Sequence, residues 1–204
     1  MNINFNEWQK VNEYDLSKVV DMVITGGTVE SISDDYWLIS YMENGLESNS
    51  ILDFGCGVGR NILKFCQDKP NWNFIGYDND DMLGKLKEYS TLKFNKTIDQ
   101  YDNLTLMSDW NVLKNKKFDC IYATVVFQHI HEKDLNNYLR DFKKMTNKLI
   151  VSGRRFNDDM VDGRYKNTWQ ILENMGYYPS NAKEINYKID GDPDEHYYIV
   201  YTSF

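Results

Sequence analysis

The sequence predicts an α/β fold: a mostly parallel sheet with helices on both faces, finishing in an antiparallel hairpin. Three observations carry this. An apolar run, Ile51-Leu52-Asp53-Phe54, leads straight into Gly55-Cys56-Gly57-Val58-Gly59 and then a helical pattern. Short apolar runs then alternate with amphipathic stretches, as strands joined by crossover helices do. The chain ends on two strand-like runs, Ile185–Ile189 and Tyr197–Tyr201, around the turn Asp190-Gly191-Asp192-Pro193.

The elements follow in order. Residues 1–35 form an N-terminal helical segment in which Leu16, Val19, Val20 and Val23 share one helical face, suited either to closing the sheet or to acting as a lid. Strands are expected at 51–54, 73–77, 104–107, 119–125 and 148–152. Between the first two, Ile62, Leu63, Phe65 and Cys66 mark a helix that Pro70 closes. Leu135, Tyr138, Leu139, Phe142 and Met145 make an i, i+3, i+4, i+7 stripe between the last two. A helix over 165–175 carries Trp169, Leu172 and Met175 and stops at Gly176, a C′ residue. Neither an internal repeat nor a linker interrupts the pattern.

Length and charge limit the function. A chain of 204 residues fits one domain and buries roughly 70% of its unfolded surface. A net charge of −8 with a pI near 4.9 argues against a nucleic-acid binder, which neutralises phosphates with a basic face. Cys56, Cys66 and Cys120 lack metal or disulfide spacing and read as reduced core thiols. With no signal-peptide pattern and no apolar run of about 18 residues, a soluble cytoplasmic protein is expected, without a membrane partner.

The glycine loop decides the ligand class. Glycines tolerate positive φ and let backbone approach a ligand, and the helix that follows offers unpaired amides. A dinucleotide fingerprint needs a third glycine where Arg60 stands, and no Gly-Lys-Ser/Thr follows for a P-loop. The chain reads D-x-G-x-G-x-G from Asp53. That pattern resembles the first signature of the class I S-adenosylmethionine (SAM) methyltransferases, and its GVGRN continuation is similar to small-molecule members. With the strand order and terminal hairpin, the resemblance covers residues 36–204. It implies a Rossmann-like sheet of seven strands and S-adenosyl-L-methionine as cofactor.

The resemblance also places site residues. Asp53 with Gly55, Cys56, Gly57 and Gly59 would face the methionine end of the cofactor, where loop amides or Arg60 meet its carboxylate. Asp78, 25 residues after Asp53, would accept both ribose hydroxyls with help from Asn79; the plain alternative is a helix cap. Asp109 would accept the adenine amine and Trp110 lie on the ring, unless the tryptophan is core. Ala123 and Thr124 would contact the methionine portion, with Gln128 or His129 bordering the substrate. Trp37 and Tyr36 are the aromatics expected at the pocket.

His129 and His131 are the candidate catalytic bases, imidazole being poised near neutral pH. Their plain alternatives are a loop-holding hydrogen bond and a helix N-cap. Arg154, Arg155 and Arg164 stand where an anionic acceptor would enter. The boxes used for methylating DNA amines or cytosine carbon are absent, and no metal-ligand spacing occurs. The expected function is methyl transfer to an oxygen or nitrogen of a small polar metabolite. A protein methyltransferase, a noncatalytic SAM-binding regulator and a partner subunit are the alternatives; oligomeric state is open.

Overall fold

A computed structural model describes residues 8–23, 26–32, 34–43, 49–154, 160–161, 164–165, 168–179, 185–187 and 196–202. The strands are β1 (Ser50–Phe54), β2 (Asn73–Tyr77), β3 (Leu104–Met107), β4 (Cys120–Thr124), β5 (Leu149–Arg154), β6 (Met160–Val161), β7 (Arg164–Tyr165), β8 (Tyr178–Pro179), β9 (Ile185–Tyr187) and β10 (His196–Thr202). The helices are α1 (Leu16–Val23), α2 (Tyr36–Glu43), α3 (Ile62–Asp68), α4 (Asp80–Phe94), α5 (Trp110–Leu113), α6 (Glu132–Met145) and α7 (Thr168–Asn174).

The main sheet runs β3-β2-β1-β4-β5-β10-β8, with β9 also pairing β10. The first five strands are mutually parallel. β10 lies antiparallel to β5. Among the described residues the main sheet has eight strands rather than the expected seven. The additional strand is β8, two residues long, which pairs Tyr201 and Thr202 on the outer edge of β10. Pro179 offers no amide to a ladder and is tolerated because, among the described residues, this edge takes no further strand. The turn at 190–193, on which the expected hairpin depends, lies outside the described residues. β6 and β7 form a separate two-stranded ribbon.

Alternation along the central strands sorts the core into two halves. Ile51, Cys120, Tyr122 and Ile150 join one half, while Leu52, Ile121, Ala123, Leu149 and Val151 join the other. The N-terminal segment supplies Val11, Leu16, Val19, Val20 and Ile32 to the first half. It is therefore part of the same core as the sheet, packed on the face to which Asp53 points. Gly176, at φ 74°, ends α7. Its amide donates to the Glu173 carbonyl and that of Tyr177 to Leu172, the paired bonds of a Schellman motif. That reversal brings the chain to β8.

Among the described residues, no helix is long and apolar enough to cross a membrane. The three cysteines are buried thiols.

Candidate functional site

β1 lies between β2 and β4, so the carboxyl ends of these strands open onto the crevice where strand order reverses. Asp53 and Asp78 stand there. Asp53 is 2% exposed, and burial, aided by the charge of Asp78, pushes its carboxyl up to about 8. The Tyr122 hydroxyl, on the strand-paired neighbour of Asp53, pulls the other way without reaching hydrogen-bond geometry. Burial also raises Asp78, to about 6, against the opposing pull of the Gly57 and Asn79 amides.

The glycine loop closes on Asp78. The Gly57 amide donates to Asp78 Oδ2 at 2.9 Å, and the Asn79 amide and side-chain Nδ2 donate to Oδ1 at 2.8 and 3.2 Å. A carboxylate has about four acceptor positions, so Asp78 keeps one, on Oδ2. Asn79 is the N-cap of α4, its Oδ1 accepting from the Met82 amide at 2.9 Å. Gly57 has φ 57°, and a Cβ placed on it would meet nothing within 4 Å. That side of the loop is open. Cys56, by contrast, faces inward, buried, with its thiol pushed well up by burial.

Three expected contacts are placed differently. Arg60 is bound to Asp35, with Nη1 and Nη2 at 3.2 and 2.6 Å from its two carboxylate oxygens, rather than set out for a ligand carboxylate. Asn61 locks the same acid: its Oδ1 accepts from the Asp35 amide at 2.8 Å, and its Nδ2 donates to Asp35 Oδ2 and Thr124 Oγ1. The N-terminal segment is thereby tied to the glycine loop and β4. Trp110 is turned away from the crevice, its ring 4.7 Å from Tyr138 and its Nε1 donating to Asp141 Oδ2 at 2.9 Å. It belongs to the aromatic core around Phe54. His131 is exposed and caps α6, Nδ1 accepting from the Lys133 amide at 3.3 Å.

The remaining residues fall as follows. Asp109 ends β3, exposed, and caps α5 through the Asn111 amide at 2.8 Å. Ala123 is buried at the end of β4 and Thr124 half-buried beside Asn61. Beyond them Phe127–His129 form a 3-10 turn that holds Gln128, 7% exposed, and half-buried His129. Their Nε2 atoms are 3.4 Å apart. Trp37 lies in α2, but its side chain and that of Tyr36 are outside those described, as are the side chains of Arg154, Arg155 and Arg164.

Two contributors had no signal in the sequence. Asp35 is one; Trp8, whose ring lies 5.3 Å from that of His129, is the other. Because Asp35 is buried at 2% exposure and its carboxylate accepts from both Arg60 and Asn61, Asp35→Ala is expected to lower stability by about 2–3 kcal/mol. Urea unfolding measures it, and an unchanged midpoint would show that the N-terminal segment is not anchored there.

This fold and crevice define a class of protein. A methyltransferase-domain family matches residues 37–180, and the chain belongs to it. The recognition of a class I methyltransferase from the glycine motif holds. Solved structures agree on the fold. Magnesium protoporphyrin IX methyltransferase of Synechocystis PCC 6803, crystallised with bound SAM, is similar at a TM-score of 0.61 and 16% identity, covering 100% of this chain and 92% of that one. The methyltransferase domain of a bacterial CtHen1 gives 0.59 at 17% identity, with 82% and 96% covered. An O-methyltransferase family protein of Burkholderia thailandensis gives 0.58 at 10% identity, with 82% and 55% covered. No curated protein matches by sequence.

Proposed function

We propose that the chain transfers a methyl group from S-adenosylmethionine to an oxygen or nitrogen of a small polar molecule. What carries the reading is the pair of acids, buried Asp53 and half-buried Asp78, beside the open face of Gly57, in a chain of this family. The donor set fits the cofactor. Asp53 feels the charges of both Asp78 and Asp35, and Arg60, a nearby cation, is held by Asp35. The surplus is negative, which suits a ligand bearing a sulfonium and an ammonium.

Bound there, S-adenosylmethionine supplies a methyl group on a sulfonium that leaves as a neutral thioether. The chain's own part is chiefly positioning. Asp78 takes a ribose hydroxyl on its remaining acceptor position, Asp53 faces the ammonium, and Ala123 and Thr124 wall the methionine portion. Holding two reactants in line is worth about 7–11 kcal/mol; a general base adds about 3–5 kcal/mol. His129 is the candidate for that smaller share, and His131, turned to capping, is not.

Calorimetry tests the pocket. SAM binds the wild type, and Asp78→Ala weakens it by roughly 10–150-fold, the loss of a charge-assisted hydrogen bond of about 1.5–3 kcal/mol. No binding, or equal affinity in the variant, would sink the assignment. Release of S-adenosylhomocysteine with metabolite pools then reads turnover.

A further inference from the structure

We propose that the acceptor site is built for a flat aromatic molecule carrying a hydroxyl or amine, seated against Trp8 and hydrogen-bonded by Gln128; this rests on the methyltransferase reading above. Gln128 follows β4 in the 3-10 turn beyond the crevice and is buried at 7% exposure. Its Oε1 has no hydrogen-bond partner, while its Nε2 already approaches His129. Turning the amide over does not remove the deficit, because one of its two polar atoms then still lacks a partner. Buried polar atoms are nearly always satisfied, so an orphan in the turn that follows β4 marks the place of a ligand group. A hydroxyl or amine supplies the missing donor.

The aromatic requirement comes from the other side. Trp8, half-buried, is carried to His129 by the N-terminal segment, and the two rings meet at 55° with centroids 5.3 Å apart. The indole is thus held in place by the His129 ring while staying partly exposed, and ring–ring contacts of offset or edge geometry favour a flat arene over a puckered aliphatic ring. The acids around Gly57 disfavour an anionic acceptor, so the site suits neutral or cationic arenes. Gln128 and Trp8 are specificity-determining residues in this scheme: one reads the donor, the other the ring.

The test uses the whole chain with three probes: 2-naphthol, naphthalene and decalin-2-ol, followed by ligand-observed NMR with and without S-adenosylhomocysteine. 2-Naphthol is expected to bind at least tenfold more tightly than either of the others. Trp8→Ala and Gln128→Leu each weaken it at least tenfold, while Trp8→Phe restores most of the affinity; Gln128→Met replaces the leucine variant should that not fold. Equal binding of decalin-2-ol, no naphthol binding, or variants that bind as the wild type does would each overturn the proposal. S-Adenosylhomocysteine affinity is read alongside and stays unchanged in Trp8→Ala. Its absence in the wild type would defeat the methyltransferase reading itself, whereas its presence without a naphthol site defeats only the acceptor assignment.

Discussion

Gly55→Ala is expected to cost about 2–5 kcal/mol of stability, a large share of the roughly 5–15 kcal/mol that holds a domain folded. Two penalties add. Gly55 has φ 73°, where a side chain costs about 1–2 kcal/mol. Its new Cβ would stand 2.6 Å from both methyls of Val126, and overpacking of that kind costs about 1–3 kcal/mol. Val126 has little room to retreat. Its neighbour Val125 sits at φ 59°, unusual for a β-branched residue, pinned by its amide donating to the Ser152 carbonyl and hydroxyl at 3.0 Å each. Gly57→Ala makes the contrast. Its φ is also positive but its Cβ meets nothing within 4 Å, so the fold loses only about 1–2 kcal/mol while the methyl intrudes on the ligand side. Urea unfolding and SAM calorimetry on both variants separate the effects. Similar stability for the two, or full SAM affinity in Gly57→Ala, would contradict this account of the loop.

The same loop shows what a sequence can and cannot convey. β1 to β5 and the helices α3 and α6 were legible because each carries its own periodicity, and α7 because Gly176 terminates it by local bonds. β8 was not, since two residues, one a proline, have no period; only the open edge of β10 makes them a strand. Asp53 and Asp78 were legible as acids ending strands beside a glycine turn. What sequence does not convey is the set of side-chain partners far along the chain. Arg60 follows the loop in every respect visible in sequence, yet Asp35, 25 residues earlier, holds it. Trp110 stands three residues beyond β3, but α5 turns it into the core, where its Nε1 donates to Asp141. Asp78 was read correctly as a strand-end acid, but its demand on the Gly57 amide, which leaves one acceptor position for a ribose, depends on how the loop folds back. Trp8 reaches His129 through packing of the whole N-terminal segment, and no local pattern announces that.

Asp53 should make the ligand-free protein lose stability as pH rises. Its carboxyl, near 3.8 in an unfolded chain, is pushed up to about 8 by burial and by the charge of Asp78. Between those values the native state holds a proton that the unfolded chain has released, so stability is greatest at low pH and drains away until pH passes about 8. Asp78 acts in the same sense but is spent near 6, and the buried thiol of Cys56 and hydroxyl of Tyr122 ionise well above this range. Of the two site acids, the interval from pH 6 to 8 belongs to Asp53. Each pH unit well below 8 costs about 1.4 kcal/mol, the slope halving at the native pKa, so that about 2 kcal/mol is lost in all and the melting temperature is expected to fall by roughly 4–8 °C. Asp53→Asn, with no proton to lose, flattens that slope and is the more stable protein at pH 8. Saturating SAM should flatten it too, because a cation beside Asp53 favours the ionised form. The linked consequence is that SAM binding at pH 7 expels a proton, measured by calorimetry in buffers of differing ionisation enthalpy. A melting temperature level from pH 6 to 8, or a slope that persists in Asp53→Asn, would show that the carboxylate is charged and otherwise compensated before any ligand arrives.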